Sequence, residues 1–279
     1  MEDKDLLIEQ LKQRIRELEN QLIQKKKSGN RSSRNGKEYE IEIHRVLQNV
    51  MIVFTKMNRI KIIPFHTQHE KELGGSSSKT DIVCQLDDIH RIGIEVKNNI
   101  HCEFIQLDIH PIGNNKWTGP LRTTKNSHPE TVIQRYLLEL ENNKMTLFDG
   151  DLPPLKKSRQ EFDTWQKKFL EKHKTKDYTW ECQTENFIQL NYREKGNHYI
   201  QIRDYGLFHL GEDVCHFGCP EFKPKKTFIR IRCKRRGGSQ SAPSSITMSA
   251  FIKKPFEKSK FSLDHCKRLP KNLIKLIVS

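Results

Sequence analysis

Residues 80–97 read TDIVCQLDDIHRIGIEVK, and the prediction of the fold begins with this segment. Two short apolar, β-branched runs flank an acidic turn at residues 87–88, a pattern typical of an antiparallel hairpin. Side chains on a strand alternate between its two faces. We therefore expect Glu95 and Lys97 on one face, and the other face to carry Ile92, Ile94 and Val96.

A hairpin that closes symmetrically about Asp88 places Asp81 opposite Glu95, with Lys97 one pleat further along. Two carboxylates and an ammonium then meet at one end of a sheet. Adjacent carboxylates repel each other unless a proton or a cation lies between them. Carboxylate oxygens with an open face suit Mg²⁺. The pattern thus predicts a metal-dependent hydrolytic site.

The spacing of Asp81 from Glu95-Val96-Lys97 resembles that of the PD-(D/E)xK nuclease superfamily, which has the restriction-endonuclease-like fold. In that family a helix carrying a glutamate precedes the hairpin, and the glutamate often follows an aromatic residue, as Glu40 follows Tyr39 here. The resemblance covers roughly residues 36–100. It departs from the family pattern at Thr80, where the family has proline.

The resemblance implies an α/β fold with a mixed central sheet flanked by helices, and a Mg²⁺-dependent nuclease acting on DNA. Asp81 and Glu95 are expected to hold the metal together with the Val96 carbonyl. Lys97 is expected to orient the attacking water or to stabilise the transition state. Glu40 is expected to accept the proton of the water or to help seat a second ion.

Two helices should flank this hairpin. A helix over about residues 37–51 has one apolar stripe, with Glu40 at one margin and Glu42, the second choice, at the other. Between it and the hairpin, a strand over residues 60–65 and a polar loop over residues 66–79 are expected. A second helix begins at Pro129, and the resemblance adds its Gln134 to the site because a polar side chain on the following helix often assists in such nucleases.

Lys and Arg outnumber Asp and Glu by 50 to 35, which gives a formal net charge of +15. Such an excess favours polyanionic partners, with DNA first. No apolar run approaches the length of a membrane span, and the charged start is unlike a signal peptide. Seven cysteines at irregular spacing indicate reduced thiols in an intracellular protein, cytoplasmic or nuclear and not secreted. No small-molecule cofactor is expected.

Residues 1–27 show a heptad-like pattern, and residues 6–25 are expected to form a parallel homodimeric coiled coil. The alternative is a single amphipathic helix folded onto its own domain. Residues 28–36 form a basic linker rich in small residues. The nuclease domain then covers residues 37–279, with a catalytic core over about 37–145.

The basic part over about residues 178–279 is expected to be β-rich and to bind DNA. In it, residues 187–192 and 198–202 are predicted to pair as a hairpin. Basic side chains along one later strand and its end suit phosphate contacts: Arg230, Arg232, Lys234, Arg235 and Arg236. The basic face of a helix over about residues 156–174 adds Lys167 and Lys168. Structural zinc is disfavoured because its candidate ligands lack two close pairs: Cys182, Cys215, His216, Cys219 and Cys233.

The predicted function is therefore a Mg²⁺-dependent DNA endonuclease, type II restriction-like and dimeric, tethered through its N-terminal coil. Two alternatives come from other classes. One is a catalytically inactive nucleic-acid-binding protein with the same fold, which would show salt-sensitive binding without cleavage. The other is a coiled-coil interaction protein whose charge serves solubility.

Overall fold

The computed structural model describes residues 34–47, 51–56, 59–64, 66–69, 80–85, 91–120, 128–154, 158–235, 244–253, 256–264 and 273–277, together with Gln13. Its helices are α1 over residues 34–47, α2 Glu130–Asn142, α3 Arg159–Lys172 and α4 Phe187–Glu194, with a 3-10 turn at Leu147–Gly150. Its strands are β1 Met51–Lys56, β2 Arg59–Pro64, β3 His66–His69, β4 Ile82–Gln85, β5 Arg91–Lys97, β6 Phe104–Gly113, β7 Lys116–Thr118, β8 Tyr178–Glu181, β9 Asn197–Ile202, β10 Gly206–His209, β11 Phe228–Arg235, β12 Ser244–Phe251 and β13 Leu273–Ile277. The chain is a mixed α/β protein.

The described strands form three sheets. The first sheet has the order β10-β9-β5-β4-β3, and the second has the order β7-β6-β12-β11-β8. A third sheet joins β13, β1 and β2. The first two sheets interleave along the sequence, since β9 pairs with β5 and β12 pairs with β6. The predicted catalytic core and basic part therefore share both sheets.

The hairpin between β4 and β5 has the predicted register. Ile82 lies opposite Ile94 and Gln85 opposite Arg91, in antiparallel pairing. Continued by one residue, this register brings Asp81, just before β4, to the level of Glu95. The hairpin therefore places these two carboxylates side by side.

Strand β5 lies at the centre of the first sheet and is buried on both faces. On one face, Tyr39 and Ile43 of α1 belong to the same hydrophobic cluster as Ile94 and Val96. This confirms the predicted apolar stripe of α1 and the facing of the β5 residues. On the other face lies α4, whose Phe187, Ile188 and Tyr192 belong to the core shared with the second sheet.

The predicted strand over residues 187–192 is wrong, because these residues lie in helix α4. Gly196 ends the helix with a left-handed φ of +85°, and its N–H donates to the Arg193 carbonyl at 2.8 Å. Such a glycine cap satisfies backbone groups at a helix end. Strand β9 then runs parallel to β5 instead of forming a hairpin with residues 187–192.

Several boundaries differ from the sequence predictions. Residues 34–36, expected in the linker, are helical, and Met51, expected at the end of a helix, begins β1. Residues 66–69, expected in a loop, form β3 and pair with β4. The strand near residues 60–65 and the helices α2 and α3 are confirmed. The coiled coil predicted over residues 1–27 lies outside the described residues, apart from Gln13. No helix among the residues that the structure describes is long and apolar enough to cross a membrane.

Candidate active site

Asp81, Glu95 and Lys97 come together at the end of the β4–β5 hairpin. The Lys97 ammonium lies 2.6 Å from Glu95 Oε1, and the Val96 N–H donates to Asp81 Oδ2 at 2.8 Å. Glu95 is only 3% exposed. The three groups predicted to carry the chemistry thus form one partly enclosed cluster on the α4 face of the sheet, at the end of the hairpin.

Burial is the main reason that the pKa of Asp81 is raised well above its ordinary value, and the neighbouring Glu95 raises it further. Lys97 and the Val96 N–H oppose this shift, while Glu40 of α1 adds to it. Glu40 therefore lies within electrostatic range of Asp81. A carboxyl group that is buried beside other carboxylates favours a proton or a cation, as the sequence argument required.

Glu95 keeps its charge for a definite reason. Burial alone would raise its pKa, but the ammonium groups of Lys97 and Lys195 lower it, and Tyr192 adds to the same effect. Burial alone would likewise lower the pKa of Lys97, yet Glu95 raises it well above the ordinary value. The cluster therefore holds an ionised Glu95–Lys97 pair beside a carboxyl group that readily takes a proton.

Lys195 and Tyr192 are site residues that the sequence analysis missed. Lys195 follows α4, and its ammonium lies 3.6 Å from Glu95 Oε2, with the side chain only 6% exposed. The buried Tyr192 ring lies close to both lysines, with its centroid 5.6 Å from Lys97 Nζ and 5.3 Å from Lys195 Nζ. Both residues lie about a hundred positions after β5, and only the glycine cap at Gly196 indicated a helix end there.

His128 is buried and lies within electrostatic range of Lys195 and Glu95. Its Nε2–H donates to the Gln106 carbonyl at 2.9 Å, and its Nδ1 has no hydrogen-bond partner among the described residues. Burial lowers its pKa, with a further lowering from Lys195 and an opposing effect from Glu95. These effects place a neutral imidazole within electrostatic range of the carboxylate cluster.

The donor set suits a hard divalent cation. Glu95 Oε2 is buried and accepts no hydrogen bond within the described part of the chain, and Asp81 supplies further oxygens beside it. A group of three or more His, Cys, Asp or Glu side chains arranged around one point is absent from the described residues. Mg²⁺ commonly binds through one or two carboxylates and keeps several waters. Asp81 and Glu95 therefore fit Mg²⁺, whereas Val96 contacts Asp81 through its N–H group.

Gln134 is not brought to the cluster. It is exposed, and its amide donates to Glu130 of the same helix at 2.7 Å. The neighbouring Arg135 instead reaches α4, where it bonds the Asn191 side chain and lies 3.6 Å from Glu194. These contacts hold α2 against α4, the helix that Lys195 follows. Glu42, the alternative to Glu40, pairs with Arg203 at 3.1 Å.

The predicted DNA-contacting arginines of β11 are engaged with carboxylates. Arg232 lies 2.9 Å from Glu103 and 3.3 Å from Asp177, and Arg230 lies 3.6 Å from Glu103. Arg230 also stacks over the Phe251 ring at 4.1 Å. Each guanidinium is partly exposed. These contacts give both arginines a structural role within the second sheet.

The remaining basic residues are distributed as follows. Lys167 and Lys168 are exposed on α3. Lys234 and Arg235 lie in β11, and Arg236 lies outside the described residues. Among the candidate zinc ligands, burial raises the pKa of Cys215 and of Cys233 to about 12.

No protein-family model, no curated protein and no solved structure matches this chain.

Proposed function

We propose that this chain is a Mg²⁺-dependent nuclease that hydrolyses phosphodiester bonds of DNA. The observation that carries the proposal is the meeting of Asp81, Glu95 and Lys97 at one end of a hairpin. The helix α1 carries Glu40 toward the same cluster. This order of glutamate-bearing helix and acidic hairpin is what the resemblance to the PD-(D/E)xK superfamily implies.

Each side chain has a definite task in this proposal. Asp81 and Glu95 would hold Mg²⁺, and the bound ion would lower the pKa of a water and neutralise charge on the scissile phosphate. Lys97, fixed by its ion pair with Glu95, positions the attacking water and stabilises the charge that develops on the phosphate oxygens. Glu40 would accept a proton from the attacking water. Burial of the cluster strengthens all of these electrostatic interactions.

The net charge of +15 supports a polyanionic substrate. Exposed Lys167 and Lys168 on α3 suit phosphate contacts. A dimer would cut both DNA strands in the manner of a type II restriction enzyme, with one active site for each DNA strand. The predicted coiled coil over residues 6–25 would form this dimer. Sedimentation of the full chain beside a chain lacking residues 1–27 tests that part of the proposal.

The direct test is incubation of the purified protein with plasmid DNA, in Mg²⁺ and then in EDTA. Cleavage is expected with Mg²⁺ alone. Asp81→Ala and Lys97→Ala should abolish cleavage while leaving DNA retention largely intact, because neither residue accounts for the overall basic charge. Glu185→Ala, which removes an exposed carboxylate elsewhere, is the matched control. Cleavage that survives either site substitution contradicts the assignment.

A catalytically inactive nucleic-acid-binding protein is the second candidate, and one observation favours it. Glu95 is already flanked by two ammonium groups, so the ion-pair cluster can stabilise the fold without a metal. In that case DNA binding weakens steeply with salt, as expected when phosphates release counterions. No divalent-dependent cleavage would accompany it.

A further inference from the structure

Lys195 occupies a position that a structural ion pair alone explains poorly. Its side chain is nearly as buried as that of Glu95, and the ammonium lies 3.6 Å from Glu95 Oε2, beyond hydrogen-bonding distance. The other oxygen, Oε1, already has Lys97 at 2.6 Å. Burying a second ammonium against one carboxylate is costly when that carboxylate is already paired.

The backbone at Lys195 is firmly held. Thr80 Oγ1, one residue before Asp81, donates to the Lys195 carbonyl at 3.3 Å. Gly93 of β5 lies so close to Gly196 that a Cβ atom at position 93 would overlap the Gly196 carbonyl oxygen. The turn that carries Lys195 is thus packed against β5. The Lys195 ammonium can therefore move only by rotation of its own side chain.

The charges of the cluster indicate when that side chain would move. Three carboxyl groups, from Asp81, Glu95 and Glu40, lie near two ammonium groups, and with all five groups ionised the formal charge is one negative. A divalent cation on Asp81 and Glu95 reverses it to one positive, and it would take the Oε2 atom that Lys195 faces. Two cations on one oxygen repel each other strongly in a buried site.

We propose that Lys195 is a metal-responsive phosphate-binding residue. In the metal-free protein it neutralises Glu95, and when a divalent cation occupies Glu95 Oε2 the ammonium turns to a non-bridging oxygen of a substrate phosphate. This role rests on the proposed function for its substrate, whereas the competition with the metal does not depend on it. The Tyr192 ring, whose centroid lies 5.3 Å from Lys195 Nζ, provides a surface along which the side chain can turn.

The test compares Lys195→Met with the wild type and with Lys225→Met, an exposed lysine outside the site. Mn²⁺ binding is measured without nucleic acid by electron paramagnetic resonance, and DNA cleavage is measured in single turnover at saturating Mg²⁺. Lys195→Met should bind Mn²⁺ about tenfold more tightly, because a competing cation is removed. It should cleave roughly a hundredfold more slowly, because a phosphate contact is lost. Lys195→Arg should keep the wild-type Mn²⁺ affinity and regain part of the rate.

A purely structural role predicts the opposite sign for the metal, since a loosened site binds Mn²⁺ more weakly. Weaker or unchanged Mn²⁺ binding by Lys195→Met therefore overturns the proposal, as does an unchanged cleavage rate in an active enzyme. A wild type that never cleaves contradicts the proposed function instead, and the Mn²⁺ comparison still decides the competition.

A second measurement keeps the test open if Lys195→Met fails to fold. The side-chain NMR signal of Lys195 is assigned in the wild type by its loss in Lys195→Arg. Addition of Mg²⁺ should shift this signal while the Lys225 signal stays in place. A Lys195 signal that does not respond to saturating Mg²⁺ refutes the proposed movement.

Discussion

Replacing Gly93 with Ala tests how closely the two halves of the candidate site are packed. An added Cβ atom would lie 3.0 Å from both the Thr80 methyl carbon and the Gly196 carbonyl carbon, and would overlap the Gly196 oxygen. Carbon atoms normally pack at about 3.5–4.0 Å. The Gly196 oxygen is the closest atom, at 2.1 Å from the added Cβ, so the turn at residues 195–196 must retreat from β5 by about 1 Å or more.

Two consequences follow from that retreat. Overpacking of this kind costs about 1–3 kcal/mol of folding free energy. It also lengthens the Lys195–Glu95 distance beyond its present 3.6 Å. Misplacement of a catalytic group by about 1 Å can reduce the rate by about 10²-fold. We expect Gly93→Ala to unfold at lower denaturant concentration and, if the protein is a nuclease, to cleave about a hundredfold more slowly.

Urea unfolding and Mg²⁺-dependent cleavage are the two assays. Gly36→Ala is the matched control, because its Cβ atom would meet nothing within 4 Å, and alanine favours a helix over glycine by up to about 1 kcal/mol. The control should be as stable as the wild type or slightly more stable. A Gly93→Ala protein with unchanged stability would refute the close packing of the turn against β5.

Three further predictions concern charge. Asp81→Asn in EDTA should raise the melting temperature by a few degrees, since about 1 kcal/mol corresponds to about 2–4 °C in a domain of this size. Because the pKa of Asp81 is raised in the folded protein, this gain in stability should grow with pH from about 4 upward. Added Mg²⁺ should raise the melting temperature of the wild type and not that of Asp81→Asn. Glu139→Gln should lower the free energy of unfolding by about 1–3 kcal/mol, because the buried carboxylate accepts hydrogen bonds from the Thr184 N–H at 2.7 Å and from the Thr184 hydroxyl at 2.5 Å. Urea unfolding measures this loss, and unchanged stability would contradict the prediction. Arg232→Ala should lower the stability of the fold, because the ion pair with Glu103 is lost. The salt dependence of DNA retention should stay unchanged. A weaker dependence of DNA affinity on salt concentration would indicate that Arg232 contacts a phosphate instead.

The hairpin of residues 81–97 was predictable because its signals are local. Alternation fixed which side chains share a face, and the symmetric turn fixed the register, now seen in the pairing of Ile82 with Ile94. The meeting of Asp81, Glu95 and Lys97 follows from that register alone. Nothing beyond strand geometry and chain direction was needed.

The helix α4 was not predictable in the same way. Its residues 187–192 alternate apolar and polar, and several favour strands, so the pattern indicated the wrong element. Packing of Phe187 and Tyr192 against the second sheet and α2 overrides that preference. The sequence predicts a contribution from Gln134 because α2 is the first helix after the hairpin, whereas α4 is the helix that carries Tyr192 and Lys195 to the site.

The insertion between β5 and α4 also sets the order in which the candidate site can form. Residues 98–186, which include most of the second sheet and two helices, must emerge before Lys195 can reach Glu95. Parallel strand pairing across so long a connection forms slowly, because the entropy of closing a large loop is lost before any contact stabilises it. A nascent chain on the ribosome would thus display Asp81, Glu95 and Lys97 well before their enclosure is complete. Full assembly awaits synthesis of α4 and β9, so the cluster is complete only in the late stages of folding.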